Sequence, residues 1–375
     1  PDIPYKVISP VDGSRFPTND FDPKHPGRPE DVSTEPYVDN GWGWKDPNDP
    51  QKYWFVAYWT HWFWLNHLVP AAEALGQAYI LTGDRRYSRQ ALALLDKIAE
   101  YYPEMDYVRQ SRYGTEIQPG RYHGRIVNAI WETGLVRTLA RAYDFAFEGL
   151  EGDAELERVT GKSAAEIKAN IERNLLDDAA QSIYRMDGRI RGNFGMHHSA
   201  LTTIAIVLDN EKTDEYIDWV LHATGHGQTF YEGIVPGLTN FIYRDGAAFE
   251  SSPGYNSGWT SNFHIVTEAM LERGIDMYEQ YPKLKRMYDV PLRIVMPGNF
   301  TPNIGDAGSV RSSGMVGYNR TMYATAHRRF GDPAYLTGIS PYQTSDNMSA
   351  YGLGMLRRVS GQSAMGLSLY YGPAG

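Results

Sequence analysis

Residues 193–201 read NFGMHHSAL, placing an amide, two adjacent imidazoles and a small hydroxyl just ahead of the apolar run TTIAIVL. Such groups accept, donate or neutralise protons and charge, which is what general acid–base chemistry requires. The plainer reading is that Asn193 caps a helix starting here and one imidazole packs inside it. Neighbouring helical positions point about 100° apart. His197 and His198 therefore do not share one face, and at most one is expected to meet a substrate.

A second segment, YRDGAAFESSPGYNSGW at 243–259, runs from a turn at Asp245-Gly246 through Glu250, Ser251 and Ser252 to Pro253-Gly254-Tyr255, with a helix expected near Trp259. A tyrosine on a Pro-Gly corner at a helix entrance would project its phenol into a cleft; a tyrosine packed in a loop is the alternative. A third segment, PGNFTPNIGDAGSVRSSG at 297–314, carries Asp306 and Arg311 in a Gly- and Asn-rich loop. Long irregular connections between helices often build sites. It lacks the Gly-Lys-Ser/Thr of a phosphate-binding loop. There is no His-Glu-x-x-His, the 10 histidines form no ligand set, and no Gly-x-Ser-x-Gly elbow occurs. Neither a metal site nor a serine nucleophile is therefore expected.

Helices must position these residues. Leu92, Leu95, Ile98 and Ala99 form one stripe within 86–101, and Ile126, Ile130, Leu135, Leu139 and Tyr143 form another. Ser163 followed by Glu166 is a capping box opening a helix with the stripe Ile167, Ile171, Leu175, Ala179 and Ile183. Further helices are expected around 195–208, 213–223, 259–273, 283–295 and 315–330. About eight to ten helices joined by loops point to an α-solenoid or toroid. Ala78-x4-Gly83-Asp84-x2-Tyr87 recurs as Ala326-x4-Gly331-Asp332-x2-Tyr335, a short echo consistent with repeated helical hairpins. Residues 1–52, rich in Pro, Asp, Gly and Asn, read as an irregular arm. Residues 53–350 read as the helical domain, and 351–375, with Gly-flanked runs around SGQS, as a β-hairpin opening a β-rich domain.

Composition narrows the class of ligand. A net charge of −9 removes a global basic field for nucleic acid or anionic lipid. The absence of cysteine removes disulfide and thiolate chemistry. With 27 Tyr and 9 Trp the chain holds more aromatic side chains than a core needs, which suits stacking on sugar rings. The run YWFVAYWTHWFWLNHLVPAA is interrupted by His61, Asn66, His67 and Pro70 and makes a poor membrane span. The opening PDIPYKVISP looks like that of a trimmed mature chain, so the lack of a signal peptide there decides little about compartment; a periplasmic or secreted bacterial location is the expectation.

In order, a helical region enclosing Asn193 and its histidines, then DGAAFESSPGY, then TPNIGD, then the start of a β region resembles the heparinase II/III-type polysaccharide lyases and the related alginate lyases. The resemblance covers roughly residues 54–375. It implies a mainly α fold, an incomplete (α/α) toroid followed by an antiparallel β-sandwich domain, and β-elimination at a 4-linked uronate in an acidic polysaccharide. In such enzymes an Asn neutralises the uronate carboxylate, a role that falls here to Asn193. The histidine that usually follows it is Phe194 in this chain, so its role passes to His197 or His198. Tyr255 matches the tyrosine that protonates the leaving oxygen and, for some stereochemistries, also removes the C5 proton. An unperturbed phenol has a pKa of about 10; a phenolate base would need help from Arg244, Arg121 or the histidines. Arg121, His123, Arg244, Glu250 and Trp259 are further candidates for substrate contact. The resemblance also implies that the rest of the β domain adds a His or Tyr to the cleft and often a structural zinc; no cofactor is expected within this segment.

The acidic balance makes a local basic cluster necessary for a polyanion. Arg109, Arg112, Arg121, Arg125, Arg189, Arg191 and Arg244 could supply one, or form a solvated face. Two other functions fit the residues: a glycoside hydrolase using paired carboxylates from Asp245, Glu250 and Asp306, and a non-catalytic glycan-binding module using aromatic platforms.

Overall fold

A computed structural model describes residues 6–20, 33–40, 43–53, 55, 63–105, 124–226, 231–306, 318–338, 341–342, 344–360 and 363–372. The expected positions Arg109, Arg112, Arg121, His123 and Arg311 lie outside them. The chain divides into two compact units, Pro1–Arg191 and Gly192–Gly375.

In the first unit the arm is built of small aromatic contacts on minimal strands. β1 (Val7–Ile8) pairs antiparallel with β2 (Arg15–Phe16), and β3 (Trp44–Lys45) with β4 (Lys52–Tyr53). The rings of Phe16, Tyr37, Trp44 and Tyr53 follow one another at 5.1, 4.7 and 6.0 Å. Helices α1 (Val69–Thr82), α2 (Arg85–Tyr101) and α3 (Ala129–Ala146) come next. The α2 stripe Leu92, Leu95, Ile98 and Ala99 is buried as its spacing requires. α4 (Ala154–Thr160) precedes α5 (Ala164–Ile171), whose Ser163–Glu166 capping box is formed in both directions. A π turn over Glu172–Asp177 carries α5 into α6 (Asp178–Tyr184).

The second unit holds α7 (Met196–Leu208), α8 (Thr213–His222), α9 (Ile234–Asn240), α10 (Pro253–Glu272), α11 (Met277–Gln280), α12 (Lys283–Ile294), α13 (Arg320–Phe330) and α14 (Ala334–Thr337). α10 begins six residues earlier than its expected start near Trp259, counting from Pro253 to Trp259. Gly254 and Gly258 disguise this turn as a loop, because glycine disfavours helix. Ser252 in an extended conformation, followed by proline at the first helical position, nevertheless starts it.

The echo noted in the sequence is a stop-and-start turn. Gly83 and Gly331 end α1 and α13 in the left-handed region, at φ 68° and 70°. The aspartate after each then accepts the backbone N–H two residues on, Asp84 from Arg86 at 2.9 Å and Asp332 from Ala334 at 3.0 Å.

The C-terminal strands form a three-stranded antiparallel sheet rather than a lone hairpin, in the order β5 (Asp346–Met348), β6 (Leu353–Ser360), β7 (Ser363–Tyr370). Its first strand lies five residues ahead of the expected boundary at 351. One face, with Leu353 and Met355, joins Met348 and Tyr351 in a core with Val290, Ile294, Met296 and Ile304. The other face leaves Leu356, Met365, Leu367 and Leu369 exposed, as period-2 alternation and the Leu356↔Leu367 register require. No helix among the described residues is long and apolar enough to cross a membrane.

Candidate functional site

Asn193 does not cap α7 with its side chain. Gly195, at φ 92°, is the residue before the first helical position, and the Asn193 carbonyl accepts the Met196 N–H at 2.9 Å. A glycine there lets the chain turn into the helix without a side-chain cap. The Asn193 side chain is left half-buried, and its amide forms no hydrogen bond among the described residues.

The two histidines are inside. Both are 0% exposed, and their rings lie 4.2 Å apart despite occupying different faces of α7. His198 accepts the Gly195 N–H on Nδ1 at 3.3 Å, so its proton sits on Nε2 and is donated to the Glu232 carbonyl at 2.8 Å. Burial, and secondarily the neighbouring His197, hold its pKa well below the usual imidazole range. His198 is thus a neutral group bracing the start of α7 against the Glu232 segment. His197 meets the Gly192 carbonyl through Nδ1 at 3.2 Å.

Phe194, where the resembling enzymes carry histidine, is the hub of an aromatic cluster. Its ring lies 4.9 Å from Trp259, 4.9 Å from His198, 5.5 Å from Phe241 and 5.6 Å from Phe263. Trp259 belongs to this cluster and is only 5% exposed, which leaves no face for a sugar. The same cluster ties the NFGMHH segment to α10, since Gly195 lies against the Trp259 carbonyl and Asn262. Tyr255 is four residues before Trp259 on that helix, about one turn or 6 Å along its axis.

Tyr255 is 40% exposed and donates its phenolic proton to Asp306 Oδ2 at 3.1 Å. That hydrogen bond, then the Asp306 charge, raise the phenol's pKa above its usual value. Among the described residues no cation bonds this phenol, and Arg244 instead bonds Ser349 Oγ at 3.1 Å. Three stretches distant in sequence fix the pair. Ser252 Oγ donates to the Asp306 carbonyl at 3.2 Å, Gly305 lies against Ser251, and Tyr351 donates its hydroxyl to the Ser251 carbonyl. Glu250 is half-buried, accepts the Ser252 N–H at 3.4 Å and adds to the negative surroundings of the phenol. Asn256, missed in the sequence, accepts the Ala248 N–H and donates to the Glu250 carbonyl, binding this loop to its own helix. Asp245 is occupied structurally, its Oδ2 accepting the N–H groups of Ala350 and Tyr351 at 3.1 and 2.9 Å. Among the described residues no cluster of three or more His, Asp or Glu is arranged to hold a metal ion.

A mainly helical chain with an antiparallel sheet docked on its last helices, and an amide and a phenol carried on packed helical segments, is a heparinase-type polysaccharide lyase-like fold. Among solved structures the chain is similar to a heparinase III gene product, at 15% identity and a TM-score of 0.51, covering 83% of this chain and 47% of that one. It is similar also to a heparan sulfate lyase mutant from Pedobacter heparinus, at 15% identity and 0.51, covering 83% and 45%. A further heparinase III structure aligns at 13% identity and 0.51, covering 89% and 51%. The chain thus spans about half the length of the structures it matches. No family model matches it, and no curated protein matches it by sequence.

Proposed function

We propose that this chain carries the acid and the carboxylate-neutralising amide of a polysaccharide lyase that cleaves a 4-linked uronate by β-elimination. Loss of the C5 proton leaves an electron pair that forms the C4–C5 double bond while the C4–O bond breaks. The departing oxygen takes the Tyr255 proton. Where the C5 proton lies on the same side of the ring as the leaving oxygen, the Tyr255 phenolic oxygen takes it up as its own proton passes to that oxygen, and the residue ends the cycle as it began; where it lies on the opposite side, a separate base of the complete cleft takes it. The observation that carries this reading is the half-exposed phenol held on Asp306. A raised pKa keeps the group protonated, as an acid must be.

The unengaged Asn193 amide supports the second role, donation to the uronate carboxylate as charge develops on it. Asn193→Ala is expected to lower kcat by about 10²–10³ while changing stability by less than about 0.5 kcal/mol. Initial rates on uronate polysaccharides, with thermal melting alongside, check this; unchanged kcat would remove Asn193 from the site.

Asp306 sets the alkaline side of the pH profile. Because its carboxylate raises the phenol's pKa, Asp306→Asn should let Tyr255 deprotonate at lower pH. The alkaline limb of kcat then moves to lower pH, while a limb that stays in place or moves up denies Asp306 this role.

Two further features belong to the proposal. The exposed apolar face of β6 and β7 is suited to a second layer of strands, as in a β-sandwich, which would supply the remaining residues of the cleft. A substrate of polymeric size is met outside the cytoplasm, so a periplasmic or secreted location accompanies it.

A further inference from the structure

Resting on the lyase reading, we propose that a groove beside the Asp245-Gly246 turn is a subsite for a second acidic group of the glycan, bound by Arg244 and Arg286. The groove has a volume of about 500 Å³ and is lined by Arg244, Arg286, Arg293, Asp289, Tyr342 and Asp346, among others. That lies within the roughly 300–1,000 Å³ of ordinary ligand sites.

Its charges look balanced in sequence, but their engagement is one-sided. Arg293 is held bidentately by Asp346 at 3.0 and 3.1 Å. Asp289 accepts the Tyr335 hydroxyl and pairs with Lys285 at 3.2 Å. Asp245 is committed to the backbone of Ala350 and Tyr351. Arg244 and Arg286 have no carboxylate partner among the described residues, and both are exposed. The groove therefore presents to solvent two guanidiniums that hydrogen-bond no carboxylate among the described residues, and paired forks of this kind suit carboxylate or sulfate.

The fold builds this juxtaposition. Gly246, at φ 94°, lies so close to the α12 backbone that a Cβ there would come within 2.3 Å of the Arg286 carbonyl oxygen. This approach lets the Arg286 guanidinium donate to the Arg244 carbonyl, keeping the two cationic residues side by side. Lys283, beside them, has its pKa lowered by burial first and by the Arg286 charge second, as expected where positive charge gathers.

Titration calorimetry on the whole chain tests the subsite independently of turnover. The probes are a sulfated tetrasaccharide of alternating hexosamine and uronate, and the same tetrasaccharide desulfated. For Arg244→Gln with Arg286→Gln, affinity for at least one probe should fall by about tenfold to a hundredfold, as expected for losing charge-assisted hydrogen bonds. Arg286→Lys, which keeps the charge but not the planar fork, should bind more weakly than wild type and more tightly than the double variant. A fall with the sulfated probe alone assigns the arginines to sulfate, and a fall with both assigns them to the uronate carboxylate. Equal affinity in wild type and double variant, or no binding by wild type, overturns the proposal. Absence of turnover with binding and its arginine dependence intact would instead count against the lyase reading and leave the groove standing.

Discussion

Tyr255→Phe is expected to lower kcat for uronate cleavage by about 10³–10⁴, the upper range for loss of a positioned general acid. Among the described residues the phenol makes one hydrogen bond, to Asp306, and it is substantially exposed, so its removal leaves the packing of α10 untouched. Stability should change by less than about 1 kcal/mol. Activity and stability are therefore expected to separate in this variant. The check is the initial rate of product formation beside a melting curve. A kcat within threefold of wild type would remove the phenol from the chemistry. It would also favour a hydrolase, in which Asp306 and Glu250 rather than Tyr255 act on the glycosidic bond.

Phe194→Ala should show the opposite separation. The ring is 1% exposed and touches Trp259, Phe241, Phe263 and His198. Deleting a buried phenylalanine ring costs about 3–5 kcal/mol through lost burial and the cavity left behind. Gly237, which lies against the Phe194 ring edge, has no side chain with which to refill the space. For a unit of this size the cost corresponds to a fall of roughly 6–20 °C in Tm. Trp219 and Trp259 adjoin the cluster, so tryptophan fluorescence during urea unfolding reports on it directly. A loss below about 1 kcal/mol would mean the hub is not a stabilising element.

These two residues show what could be read from the sequence and what could not. Helical stripes and the Ser163–Glu166 box depend on neighbours three and four positions apart, so they were legible, and the stop-and-start turns at Gly83 and Gly331 were visible as an echo. The order of the Asn193, Tyr255 and TPNIGD segments carried the fold, which the heparinase III likeness bears out. The start of α10 was hidden because Gly254 and Gly258 argue locally for a loop, and packing overrides them. The fate of the histidines was hidden for a different reason. Whether an imidazole faces a cleft or a carbonyl depends on the Glu232 segment, 34 residues downstream of His198. The partner of Tyr255 stands 51 residues away, and nothing in local spacing announces that Gly305 must sit against Ser251 to bring Asp306 there. Phe194 read as a departure from the family pattern, yet its meaning is plain once its neighbours are known: the position serves packing.

The most direct test is the ultraviolet absorbance of a C4–C5 unsaturated uronate when the protein is incubated with alginate, heparan sulfate, chondroitin or ulvan. Absorbance should rise on at least one of these with wild type and fail to rise with Tyr255→Phe. Cleavage that yields only saturated ends, or no cleavage of any of them, would contradict elimination at a uronate.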